Sequence, residues 1–329
     1  MRVVVLGGTR FIGRAVVEEL VAHGHEPLVV HRGRHEPGDG FPDVEHVHTT
    51  RPDLPGAAAS LERFAPDAAI DCFAMTRDDA DLALAALPPD IRLCVLSSCD
   101  VYRAYSTLHR GEVADAVPLR ERSPVREEHF PYRGQDVPLR ADLDLDNYEK
   151  LHVEDAYLAY GGTVLRLPFV YGEHDWQRRE EFVLRRVRAG RTAIPCGAGT
   201  WLASRGYVRD IARAARLALE VDEAAGEIFN LAERATWPVR AWAAHLIAAA
   251  RSQAQLVTVA EELLPQDLDW TSGAWQHLLI DASKAREVLG WTETDPETAL
   301  RRSVAWHLEH PPDDADDDFA ADDVALGSA

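Results

Sequence analysis

A run of branched residues, RVVVL (2–6), breaks off into Gly7-Gly8 and is followed at once by FIGRAVVEELVA (11–22), whose apolar residues recur at helical spacing. A strand that turns tightly and re-enters as a helix leaves few continuations. The next strand returns parallel through a right-handed crossover, and a parallel sheet needs helices on both faces. The rest of the first 100 residues keeps this rhythm. Strand-like runs lie at 2–7, 27–31, 44–48, 68–74 and 91–98, with helical segments near 11–23, 54–64 and 77–87. Gly24 stands where the first helix should end. The expectation is an α/β fold, a doubly wound parallel sheet with a smaller C-terminal lobe.

The turn itself, GGTRFIG (7–13), has a second property. Gly7 and Gly8 let the backbone reverse at the end of the strand, and Gly13 lets the helix lie close on the sheet. The N–H groups of the helix start then face outward and suit a pyrophosphate. Between a first strand and a first helix, this pattern predicts a dinucleotide site formed by Gly7, Gly8, Thr9, Arg10, Phe11, Ile12 and Gly13.

Residues 103–145 interrupt the alternation. They are rich in Pro, Arg, Glu and Gly, and a connection of that length suits a lid over an active site. The rhythm resumes with a helix containing DNYEKLHVE (146–154) and a strand at 163–167. Helices are expected near 178–189, 209–220, 239–251 and 295–309, with short strands at 226–232 and 255–260. The division that follows is a dinucleotide-binding domain at 1–167, completed by 206–232, and a substrate lobe at 168–205 and 233–310. The remainder, 311–329, reads as an acidic disordered tail.

That tail matters for the charge. The net charge is −20, and removing the seven aspartates of residues 313–329 brings it to −13. An acidic surface repels phosphodiester backbones, so nucleic acid is disfavoured as a partner. With apolar residues at 46% but no run near the length of a membrane span, neither a membrane partner nor a signal peptide is expected, and the location read from this is cytoplasmic. The partner expected is a small-molecule substrate; a homodimer is left open. Cys72, Cys94, Cys99 and Cys196 form no C-x-x-C pair, and no metal site is expected. The nearest to one is His46 and His48 on one face of a strand, where no third ligand stands out. Of 35 basic residues only Lys150 and Lys284 are lysines. Where either cation would serve, this chain uses arginine.

Five motifs in order, GGTRFIG (7–13), VLSSCDVY (95–102), LRLPFVYG (165–172), GYVRDIA (206–212) and DASKAREVLGW (281–291), make the chain resemble the extended short-chain dehydrogenase/reductases, also called the NAD-dependent epimerase/dehydratase family. The resemblance reaches to about residue 310 and implies a Rossmann-type sheet and a nicotinamide cofactor. One departure is Arg10, which stands where the family's middle glycine would be, as in a subgroup with GGTRF turns. Members specific for NAD usually end the second strand with an acidic residue on the ribose. Here that strand runs into Arg32 and Arg34. Guanidinium groups suit a 2′-phosphate, so NADP is the first expectation and NAD the second, with Arg32 as the contact and Arg10 or Arg34 beside it.

The resemblance also implies a tyrosine that moves a proton, a lysine one helical turn later that lowers the tyrosine's pKa and holds the ribose, and a hydroxyl near the fifth strand. Counting back from Tyr102 places the hydroxyl at Ser98. The other two do not fall into register, since Lys150 follows Tyr148 by two residues and positions two apart on a helix point away from each other. Keeping Tyr148 puts His152 in the lysine's place. Keeping Lys150 puts Asp146 in the tyrosine's place. The scarcity of lysine favours Lys150 as the cofactor's lysine. Tyr148 then reaches the substrate if the helix begins after it; otherwise Asp100, Tyr102 or a lid residue must supply the proton. The catalytic expectation is therefore Ser98, Tyr148 and Lys150. The function expected is NAD(P)-dependent oxidoreduction, epimerisation or dehydration of a small polar, sugar-like substrate. The alternative is a non-catalytic NADP-binding sensor or scaffold with a degenerate Tyr/Lys site.

Overall fold

The computed structural model describes residues 1–34, 37–38, 40–108, 111–113, 115–135, 144–313 and 316–327. Its strands are β1 (Arg2–Leu6), β2 (Glu26–His31), β3 (Glu45–His48), β4 (Ala68–Asp71), β5 (Arg92–Ser98), β6 (Thr163–Leu167), β7 (Phe169–Tyr171), β8 (Ala193–Cys196), β9 (Arg205–Tyr207), β10 (Ile228–Asn230) and β11 (Gln255–Thr258). Its α-helices are α1 (Phe11–Ala22), α2 (Ala58–Phe64), α3 (Arg77–Ala86), α4 (Arg103–Leu108), α5 (Lys150–Leu158), α6 (Glu181–Arg188), α7 (Val208–Glu220), α8 (Val239–Ala249), α9 (Ser283–Val288), α10 (Pro296–Glu309) and α11 (Ala320–Gly327).

Seven strands make one parallel sheet in the order β10-β6-β5-β4-β1-β2-β3. The order reverses between β1 and β4, the point where a doubly wound sheet opens a crevice at its C-terminal edge. Helices α1 and α7 pack together on one face over Val3, Val5, Val29 and Ile70; α2 buries Leu61 and Phe64 against Val4, Leu6 and Leu28 on the other, where α3 and α5 pack beside Val95 and Val164. Each fully buried Val or Leu contributes about 1.5–3 kcal/mol, so the central strands anchor the fold. The pairs β7–β9 and β8–β11 stand apart from the main sheet. No described helix is long and apolar enough to cross a membrane.

The expected disordered tail is corrected by the structure. Residues 320–327 form α11, which packs against β8, and Asp322 is fully buried on the guanidinium of Arg186, with both contacts at 2.7 Å. Phe319 lies beneath Arg185 and Arg191. Counting charge made this segment look unable to bury anything. Its partners are the arginines of α6 and the turn after it, which the local composition of the tail does not contain.

Candidate active site

Gly7 sits in left-handed backbone, φ +88°, and its N–H donates to the Val30 carbonyl at 2.9 Å. A Cβ on Gly8 would stand 2.9 Å from Val17 and Val29 side chains, and one on Gly13 would stand 2.0 Å from the Gly7 carbonyl oxygen. Neither site can take a side chain. Thr9, Arg10 and Ile12 are part-exposed at the lip of the turn, and Arg10, the residue before α1, places no side-chain cap on the helix start. The turn fits a dinucleotide pyrophosphate, with the first-turn N–H groups of α1 as donors. Arg32 follows β2 directly and is half-buried.

The register problem at residues 148–150 is resolved by Glu149. That residue is extended, with φ −157° and ψ 91°, and α5 begins only at Lys150. The Glu149 carboxylate accepts the Leu151 N–H at 3.1 Å as the helix cap, pairs with Arg126 on both oxygens, and accepts the Phe130 N–H at 2.9 Å. Its own N–H donates to the Met75 carbonyl at 2.9 Å. One extended residue thus sends Tyr148 and Lys150 to different places.

Tyr148 turns to Asp100. Its hydroxyl donates to Asp100 Oδ2 at 2.7 Å, and the Tyr132 hydroxyl donates to the same oxygen at 3.1 Å. Ser98, at the end of β5, is within hydrogen-bonding reach of the Tyr148 hydroxyl, and its Oγ accepts the Asp100 N–H at 3.2 Å. Asp100 is 4% exposed, and its second carboxylate oxygen has no partner among the described residues. Burial pushes the Asp100 pKa up, against the pull of the Tyr148 hydrogen bond and the charges of Arg126 and Lys150. Burial and the neighbouring Asp100 push Tyr148 well above its ordinary value. This tyrosine is held in its protonated form.

Lys150 is buried beneath the ends of β4 and β5. Its Nζ donates to the Ala74 carbonyl at 2.6 Å and the Leu96 carbonyl at 2.9 Å. Burial pushes its pKa down, opposed by the charges of Asp100 and Asp71. Its charge is felt at Asp100, so cation, carboxyl and phenol form one chain.

The competing registers lie elsewhere. Asp146 is exposed and accepts the Gly134 N–H at 2.9 Å, while His152 stacks on His129 at 4.9 Å between centroids. Tyr102 points into the core, where its hydroxyl donates to Asn230 at 2.6 Å and meets Arg166 at 3.2 Å. Sequence reasoning missed Glu149, Arg126 and Tyr132. The last two come from the 103–145 segment, whose lack of periodicity gave no signal about which side chains it delivers.

Residues 147–232 match the model of the NAD dependent epimerase/dehydratase family. The chain superimposes on dTDP-glucose 4,6-dehydratase from Bacillus anthracis, solved in complex with NAD, at TM-score 0.69 and 16% identity over 94% of this chain and 97% of that one. UDP-glucose 4-epimerase from Thermotoga maritima, solved with UDP-glucose, gives 0.68 at 19% identity over 94% and 99%. In sequence the chain is 25% identical to the chloroplast stem-loop binding protein of 41 kDa b of Arabidopsis thaliana, over 99% of this chain and 84% of that protein.

Proposed function

We propose that the protein is an NADP-dependent oxidoreductase, epimerase or dehydratase acting on a small polar, sugar-like substrate. The observation that carries this reading is the Tyr148 hydroxyl on the buried Asp100 carboxylate, beside Ser98 and within the field of Lys150. The bound nicotinamide would take up or return a hydride. The chain's own residues handle the proton. As a substrate hydroxyl is oxidised, its proton passes to the Tyr148 oxygen while the Tyr148 proton passes to Asp100; reduction runs the same path backward. Ser98 orients the substrate oxygen, and Lys150 offsets negative charge on Asp100. Domain roles follow, with residues 168–205 and 233–310 forming the lobe that closes over the substrate.

The test measures cofactor binding by fluorescence and turnover across a panel of alcohols, ketones and nucleotide sugars. Tyr148→Phe should cut turnover by roughly 10²–10⁴-fold with cofactor affinity intact. Tight cofactor binding with no turnover of any panel member would support the sensor alternative. The name of the Arabidopsis relative favours a second reading, RNA binding. The net charge of −20 opposes it, and salt-dependent retention of a stem-loop RNA would decide for it.

A further inference from the structure

Strands β2 and β3 form one edge of the sheet, with His31 opposite His48 and Val29 opposite His46. Side chains alternate along a strand, so His46 and His48 share a face, and the parallel register brings His31 to the same face. Three imidazoles from two strands therefore converge, each offering a nitrogen within 4.8 Å of the other two. The ring centroids of His31 lie 5.0 Å from those of His46 and 4.6 Å from those of His48. His31 is buried, His46 half-buried and His48 exposed, so the cluster has a closed floor and an open top.

The hydrogen bonding within it is informative. His31 Nε2 and His46 Nδ1 are 2.9 Å apart, a distance at which one nitrogen donates and the other presents a lone pair. The Gly33 N–H points at His31 Nδ1 from 3.3 Å, which places the proton of a neutral His31 on Nε2 and the lone pair on His46 Nδ1. A cation taken up at His31 Nε2 requires that ring's proton to move to Nδ1, so the long Gly33 N–H contact opens as the ion binds.

We propose that His31, His46 and His48 form a binding site for a divalent transition-metal ion of the zinc type. Imidazole nitrogens suit Zn²⁺, Co²⁺, Ni²⁺ and Cu²⁺ and do not suit Mg²⁺ or Ca²⁺, which take oxygen ligands. A tetrahedral ion with Zn–N bonds of roughly 2.0–2.1 Å holds its ligand nitrogens about 3.4 Å apart, so small rotations of His48 and His46 complete the set. Three protein ligands leave a fourth position, which opens on the exposed side for water or an anion. The ion would cross-link the edge strand to its neighbour. This inference is independent of the proposed reaction, because it needs neither cofactor nor substrate.

The full chain, stripped with EDTA, is titrated with Zn²⁺ by calorimetry, and with Co²⁺ by visible absorption. One saturable equivalent of Zn²⁺ and a tetrahedral Co²⁺ spectrum are expected, with no heat from Mg²⁺. His48→Gln, at an exposed position that leaves the core untouched, and His46→Gln should each weaken Zn²⁺ binding at least tenfold. Absence of a saturable equivalent would overturn the site. So would an equivalent unchanged in both variants, since the chain has 14 histidines and another group would then be responsible.

Discussion

Lys150 spends two of its three N–H donors on backbone carbonyls at the strand ends, which constrains what can replace it. Lys150→Met removes both of these hydrogen bonds, at a cost of about 1–3 kcal/mol in stability, and should weaken cofactor binding measured by fluorescence titration. Lys150→Arg should rescue little, because a planar guanidinium cannot take the place of a compact ammonium between two carbonyls. Arg32→Ala tests the choice of cofactor. NADP affinity should fall by about 1–3 kcal/mol and NAD affinity should hardly move; equal losses would remove the 2′-phosphate assignment. Asp100 makes a pH statement. Its carboxyl is held above the usual carboxylate range, and the oxidation proposed above needs it ionised to receive a proton. The oxidation rate should therefore decline as pH falls through that raised pKa, and Asp100→Asn should lose this acidic limb along with most activity.

At the scale of elements, the start of α5 controls the site. Burial alone would raise the Glu149 pKa, but the Arg126 guanidinium and the N–H groups of Phe130 and Leu151 outweigh it and bring the group down to about 2 from 4.5. A depressed carboxyl stabilises the fold above its unfolded pKa and loses that contribution as pH falls through the folded one. The stability gap between the native chain and Glu149→Gln should be full above about pH 5 and close between there and about pH 2, in denaturant melts at each pH. A constant gap would mean that the carboxylate charge is irrelevant. Much of the fold was legible at this scale. β1, β2, β5, β6, α1, α3, α7 and α10 fall within a residue or two of where periodicity and turn residues put them, because each is set by neighbours in sequence. The start of α5 was not. Glutamate is an uncommon helix cap, and the partner that holds it there, Arg126, lies 23 residues away in a segment without periodicity. Tyr132 and the third histidine, His31, escaped for the same reason: strand register and loop path, not spacing, bring them to their partners.

Across the whole molecule, the reversal of strand order at β1 and β4 places the glycine turn, the strand-end serine and Lys150 along one edge of the sheet. The alternation of strands and helices was enough to foresee this. The acidic C-terminal segment was read wrongly because its fate depends on surfaces far away in sequence. Asp322→Ala leaves the buried Arg186 with Asp267 as its remaining carboxylate, so a loss of about 3 kcal/mol is expected, at the low end for a broken buried pair. Removing residues 316–327 altogether should lower the melting temperature measurably; an unchanged value would show that α11 contributes nothing. The same contact decides how the segment responds to its solvent. Added salt screens exposed pairs such as Arg185–Asp316 within a few ångströms, yet water and ions do not reach Arg186–Asp322, where both side chains have no exposed surface. The segment's aspartates are a seal, not a brush: concentrated electrolyte should loosen its rim and leave its anchor in place.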